Sequence, residues 1–441
     1  NINYFMTHYQ SVQAAEADVN IYVAEMRFFR ALEYFNKIQL LGDVPWLEVD
    51  LNVDSEELYG PKMKRNQVFQ KIIEDLDFAI QWLPEAGSEE ANRLNKDIAR
   101  HVKARFCLNE GTHYKYHDEL EYASEAEKWL QMAATESDKL ITSGRYEIYN
   151  TGHPQEDYFN MYRIDDKSDL KEAVLYVDYK TNILEHNMAA AGREAGCGFS
   201  KSFVESFLCS DGLPISLSNK YLGDETMRKE TANRDPRLKQ LILTNDFPTN
   251  VTDDLKDSTF VVNEDEFITQ HCFTGYRPIK GFNPIYSQAL YMKSSFDGIA
   301  YRYAETLLIN AEAKAELNTI TNADLDRTVN QLRDRVGMPH LTVNVGFTDP
   351  KWPDWGYSLS PILQEIRRER CIELAGEGFR FNDLKRWKAG KVLNNVLTYV
   401  GKRKPDGNLA IVYPNYTNPD LSYQAGKSRT WEDKMYLYPI P

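Results

Sequence analysis

Residues 24–45 read AEMRFFRALEYFNKIQLLGDVP, and the fold is decided on this stretch. Ala24, Phe28, Leu32 and Phe35 recur at spacings of three and four, which puts them on one face of a helix. Gly42 supplies the stop, and Pro45 cannot continue the helix. The same period returns downstream. Val68, Ile72, Leu76, Ala79, Ile80 and Leu83 form one stripe of a helix predicted over 65–83, and Pro84 follows it. Further helices are predicted over 96–110 and 122–143. The second of these buries Ala126, Leu130, Ala133 and Leu140 and ends at Gly144.

From about 145 to 299 the pattern changes. Short strand-like pieces such as 173–179 (AVLYVDY) sit among Gly, Pro, Asn and Asp clusters. Long ordered loops inside a compact protein are uncommon and often functional. Helices resume over 301–317, 322–336, 361–375 and 382–389. Counted in pairs, the pattern predicts a mainly α protein: a tetratricopeptide-like scaffold of about four helix pairs, with a loop-rich, partly irregular lobe and short strands. Paired segments begin near 24, 65, 96 and 122, so no clean 34-residue repeat exists. The expected division is 1–143 (helical), 144–299 (variable lobe) and 300–441 (helical, with candidate ligand loops), joined as one unit.

Composition narrows the function. The 441 residues include 27 Tyr, 20 Phe and 7 Trp, ample apolar area to offset the entropy of ordering. A net charge of −14 argues against a default nucleic-acid or anionic-membrane surface, because phosphate binding needs a positive field. Cys107, Cys197, Cys209, Cys272 and Cys371 contain no C-x-x-C pair and read as mostly free, buried thiols. No signal peptide is visible at Asn1, no apolar run is long enough to span a bilayer, and the end at Tyr438-Pro439-Ile440-Pro441 reads as a truncation.

Motifs for catalysis and cofactors mostly fail. Gly426-Lys427-Ser428 has the tail of a phosphate loop, but Leu421 stands where its first glycine is required. Gly192, Gly196 and Gly198 do not open a helix after a strand. A glycosidase-like carboxylate pair stays open, since acidic residues are plentiful. His113 and His117 could share a metal across one helical turn; the plainer reading is a polar helix end, with Gly111 breaking the helix before them. The densest charged run is 365–387 (EIRRERCIELAGEGFRFNDLKRW). Arg370 lies on its apolar face between Ile366 and Leu374, so it needs a partner among Glu373, Glu377 and Asp383. A catalytic Arg–Glu site is conceivable there, but an ion network joining helices is the simpler reading.

Four blocks carry a family resemblance. The 24–45 stretch resembles the AEARFLRAxxYF…GDVP block of the SusD/RagB family, and 301–313 (YRYAETLLINAEA) its RYAEVLL…AEA helix. The 365–387 run is similar to the family's IRxERxxELxxEGxRxxDLxRW signature, and the closing Met435–Pro441 to its YPIP ending. The resemblance implies tetratricopeptide-like pairs supporting a loop-rich lobe. It implies an outer-membrane, cell-surface lipoprotein of a Bacteroidota-type bacterium that captures a nutrient, usually a glycan, over a SusC-like TonB-dependent transporter. No nucleic-acid partner, cofactor, metal or catalysis is implied. The lipid-anchor cysteine and signal peptide are absent from this chain, so membrane contact through an anchor follows from the resemblance alone.

A sugar site needs flat apolar faces for ring C–H groups and nearby hydrogen-bonding groups for hydroxyls, which Tyr and Trp combine. Tyr276, Phe282, Tyr286 and Tyr291 form one candidate cluster, matched to the family by region and not by motif. Trp352, Asp354, Trp355 and Tyr357 form a second, in a Pro/Gly-interrupted loop. Each could instead be packed beneath its loop as structural support. The alternative ligand is a peptide, held by backbone pairing and apolar pockets. A general protein-interaction scaffold is the remaining reading.

Overall fold

The computed structural model describes residues 2–88, 92–189, 198–269, 271–411 and 430–437. Cys197, the glycines at 192 and 196, the 426–428 tail and the final YPIP lie outside the described residues. The chain divides into two units, one of residues 1–145 with 432–441 and one of residues 146–431.

The first unit is built from helix pairs. After a short α1 (Ile2–His8), α2 (Glu16–Leu41) packs on α3 (Arg65–Trp82), and α4 (Lys96–Tyr116) on α5 (Ala123–Thr142). The buried stripe of α2 is Ala24, Phe28, Ala31, Phe35 and Ile38, while Leu32 is only half-buried. Gly42 ends the helix as expected, with φ 73° and its N–H donating to the Ile38 carbonyl. Phe35 stacks on Phe106 with centroids 3.6 Å apart, and Phe69 meets Trp129 edge-on at 4.8 Å, so aromatic rings stitch one pair to the other. Arg65 of α3 donates to Glu110 of α4 at 2.8 and 2.5 Å, and Arg30 of α2 reaches Asp75 of α3 through two 2.7 Å bonds.

One expectation fails here for a physical reason. Gly111 does not break α4, which runs through it to Tyr116. A methyl group at 111 would lie 2.9 Å from Leu130 Cγ and 3.0 Å from the Leu130 backbone nitrogen. The glycine is there so that α5 can come close. His113 and His117 consequently share a helix face, stacked 4.0 Å apart, and His117 Nδ1 lies 2.9 Å from Glu119. Among the described residues no three His, Cys, Asp or Glu side chains converge as metal ligands would.

Among its described residues the second unit holds six short strands in three antiparallel pairs. These are β1 (Ala173–Val177) with β4 (Gly298–Arg302), β2 (Pro248–Val251) with β3 (Ser258–Phe260), and β5 (Val400–Arg403) with β6 (Leu409–Ile411). The helix Tyr303–Glu316 packs on Pro361–Glu373 and Val329–Arg335. The helix expected over 322–336 is two, Asn322–Asp326 and Val329–Arg335. A capping box between Thr321 and Asp324 starts the first, and the Thr328 hydroxyl bonds the Asp324 carbonyl at 2.5 Å, turning the chain between them. The resulting architecture is mainly α and tetratricopeptide-like, with an irregular, loop-rich middle. Cys107, Cys209 and Cys272 are buried, whereas Cys371 is half-buried. Among the described residues no helix is long and apolar enough to cross a membrane.

Candidate functional site

The 365–387 run supplies the rigid floor of the site through ion pairs. The register of β1 on β4 sets Ala173 opposite Arg302, which brings Arg302 to Glu172 at 3.0 Å. Arg302 also donates to Glu373 at 2.7 Å and to Glu377 at 2.6 and 2.9 Å. Glu373 accepts further bonds from Arg335 (2.6 Å) and Arg237 (3.0 Å). Burial alone would raise the Glu373 pKa, but Arg335, Arg302 and Arg237 together hold it well below the usual carboxylate range. Arg370 pairs with Asp383 at 3.0 Å and not with Glu373 or Glu377, and Arg386 joins Asp383 to Glu312. These carboxylates are saturated by guanidinium groups, which fits an ion network joining helices.

The network sets a pH response. Glu373, Glu377 and Asp383 all sit below their ordinary values, and Asp224, raised by burial but outweighed by Arg403 and Lys201, is lowered to about 2 from 3.8. A carboxyl group held below its unfolded value adds stability that is complete above that value and is lost as pH falls through the folded one. Stability is therefore expected to decline as pH drops from about 4.5 toward 2. Urea midpoints measured across that range check it, and a midpoint that stays constant would contradict it.

Above this floor lies a cleft of about 1160 Å³. One wall carries Phe199 and Phe203, stacked with centroids 4.5 Å apart. The loop Trp352–Trp355 forms another, and Phe379–Phe381 with the turn 391–398 closes the rest. Gln364, Asn394, Asn395 and Thr398 add polar groups. Phe381 is 44% exposed, so its ring is open to a ligand.

The eight residues expected at the site separate. Tyr276 is wholly buried in the core, its hydroxyl 2.8 Å from both Glu230 oxygens, and Phe282 packs in the same core near Phe247. Neither presents a face to a ligand, which corrects that part of the expectation. The reason is the polar handle of Tyr276, satisfied internally by Glu230 and Lys201. Tyr286 and Tyr291 are 51% and 77% exposed but do not line the cleft. Trp352 and Asp354 do line it, Trp352 half-buried with its indole N–H donating to Glu365 at 2.8 Å.

Trp355 reaches the lining with only 4% of its surface exposed. Its N–H donates to Gln364 at 2.6 Å, Trp387 meets it at 87°, and Arg367 and Arg380 stand 5.0 and 5.9 Å from its ring centre. It is a structural wall and not an open stacking platform. Tyr357 is held away from the cleft by bonds to the Trp387 carbonyl (2.5 Å) and from Arg367 (3.0 Å), and burial pushes its hydroxyl up to about 12.

A family model described as the SusD family matches residues 139–441. The chain belongs to the SusD family. It is 23% identical over 439 residues to SusD-like protein P2 of Formosa agariphila, covering 97% of this chain and 72% of that one. A SusD-like protein from Bacteroides fragilis NCTC 9343 superposes with a TM-score of 0.73 at 24% identity, over 100% of this chain and 80% of the other. A SusD-like carbohydrate binding protein from the same organism gives 0.71 at 22% identity, over 100% and 82%. A laminarin binding SusD-like protein gives 0.52 at 20%, over 89% and 76%.

Within this SusD-family chain, Phe199, Phe203, Phe381, Arg380 and Lys391 are cleft residues that the sequence reading missed. Phe199, Phe203 and Phe207 recur every four residues, a signal that could have marked an aromatic helix face. Phe381 and Arg380 were hidden inside the ion-network run.

Proposed function

We propose that this protein captures an oligo- or polysaccharide at the cell surface, holds it in the 352–381 cleft without transforming it, and delivers it to a SusC-like TonB-dependent transporter. In this reading the outer membrane is reached through a lipid anchor that belongs to the family pattern and not to the residues present here. The observation that carries the reading is the cleft itself. It joins the exposed ring of Phe381 and the half-buried Trp352 to amide and hydroxyl groups at Gln364, Asn394, Asn395 and Thr398, the pairing a sugar ring requires. The carbohydrate and laminarin ligands named for the similar SusD-like structures support it. Tyr286 and Tyr291 offer a separate exposed face for a long polymer.

Purified protein is expected to be retarded in native gels containing one polysaccharide of a panel, with no release of reducing ends. Phe381→Ala is expected to weaken that retardation about tenfold while shifting the thermal melt little, because the ring is half in solvent. Unchanged mobility of the variant beside a retarded parent would remove the cleft from the reading. Retardation by no glycan, with binding of short peptides instead, would replace glycan by peptide.

A further inference from the structure

We infer that the cleft takes an anionic glycan, one bearing carboxylate or sulfate groups, and that Arg380 and Lys391 are the cations that meet those groups. The inference deepens the capture reading above and rests on it. The chain as a whole carries −14, a field that disfavours anions unless a local site reverses it. The cleft does reverse it, with six Lys and Arg side chains in its lining against four carboxylates.

Most of those charges are already matched. Arg368 pairs with Asp349 at 2.6 Å, Lys351 with Glu205 at 3.0 Å, Arg370 with Asp383 at 3.0 Å, and Arg367 with Glu316 at 3.0 Å. Arg380 and Lys391 have no carboxylate partner among the described residues. Asp354 is the lining carboxylate without a cation partner among them; it accepts the Gly356 N–H at 2.9 Å.

Arg380 is half-buried with its guanidinium 5.9 Å from the Trp355 ring centre. That contact orients the cation without neutralising it. Next to it in sequence stands Phe381, and Lys391 is an exposed residue of the lining. An aromatic face with two cations that no described carboxylate pairs, on the same cleft, suits a sugar ring whose C–H side stacks while its acidic substituent accepts charge-assisted hydrogen bonds. A neutral sugar would make little use of the cations and would have to displace water from an unneutralised guanidinium.

The test titrates the whole protein, by calorimetry, with oligogalacturonate (carboxylate), oligocarrageenan (sulfate) and laminarin oligosaccharides (neutral). At least one anionic ligand is expected to bind about tenfold or more tighter than the neutral one, with affinity falling as NaCl is raised. Arg380→Gln with Lys391→Gln is expected to remove about that tenfold, and Arg380→Lys to keep part of it, with the melt unchanged. Preference for galacturonate or for carrageenan identifies the acid group, and either supports the inference. Equal binding of all three by parent and double variant would overturn the inference while leaving glycan capture standing. Binding of none would overturn both. Should the double variant fail to fold, salt dependence in the parent decides: affinity indifferent to NaCl overturns the inference.

Discussion

Replacing Glu373 with alanine is expected to cost about 3–5 kcal/mol of folding stability, the range for removing one partner of a buried ion pair. Glu373 is wholly buried and accepts from three guanidinium groups, those of Arg302, Arg335 and Arg237. Truncation leaves Arg335 with Glu172 at 3.5 Å, while Arg302 keeps Glu172 and Glu377 and Arg237 keeps Asp235 and Glu369, so three buried guanidinium groups lose the carboxylate they share. The native charges are not thereby shown to be worth that much relative to an apolar core; the expected loss is the cost of leaving three buried guanidinium groups short of one carboxylate. Urea denaturation measures it, with Glu147→Ala as the comparison. Glu147 pairs with Lys171 at 3.1 Å with both side chains exposed, so its loss is expected to cost at most about 1 kcal/mol. Two variants of equal stability would show that the cluster holds nothing together.

Trp355→Ala is expected to cost a similar amount, about 3–5 kcal/mol, and to lose glycan binding with it. The indole is nearly inaccessible, donates to Gln364, meets Trp387 edge-on and carries Arg367 and Arg380 beside its ring. Its removal empties a volume that surrounding helices cannot refill and releases the guanidinium of Arg380 from its seat. Phe381→Ala separates the two effects, since the ring is 44% exposed and its neighbours Trp431 and Lys385 stand 6.2 and 6.0 Å from its centre. A Trp355→Ala protein that melts with the parent would mean that the ring contributes nothing to the wall.

Periodicity revealed α2 to α5 of the first unit because an apolar stripe at every third or fourth position has one cheap solution, burial against a neighbour. It also placed Arg370 in an ion network, since a guanidinium between Ile366 and Leu374 has no other tenable environment. It misjudged Gly111 because local propensity says nothing about how closely a second helix must approach. It named Arg370's partners only in part, since Glu312 lies far away in sequence and the nearer Glu373 and Glu377 are claimed by Arg302. The aromatic candidates were harder for the same reason. Tyr276 and Tyr291 look alike in a list of residues, yet one finds a buried carboxylate to bond and the other finds solvent. Which tyrosine is sheltered depends on Glu230, Lys201 and the core around them, and no spacing within the tyrosine stretch encodes that.

The pairing of β1 with β4 has a bearing on how such a chain can diversify. Strand partners at Val177 and Gly298 put the exit and return of the intervening polypeptide side by side, and Asp297 ties the junction by accepting from the Tyr179 and Lys167 backbone N–H groups. Lengthening a flexible excursion between two clasped points costs only logarithmically more entropy. New surface segments can therefore be spliced in beyond Val177, and old ones trimmed, while Arg302 stays beside Glu172. The clasp lets the exposed turn after Val177 vary in length while the buried parts of the same excursion, Arg237 among them, stay bonded to Glu373.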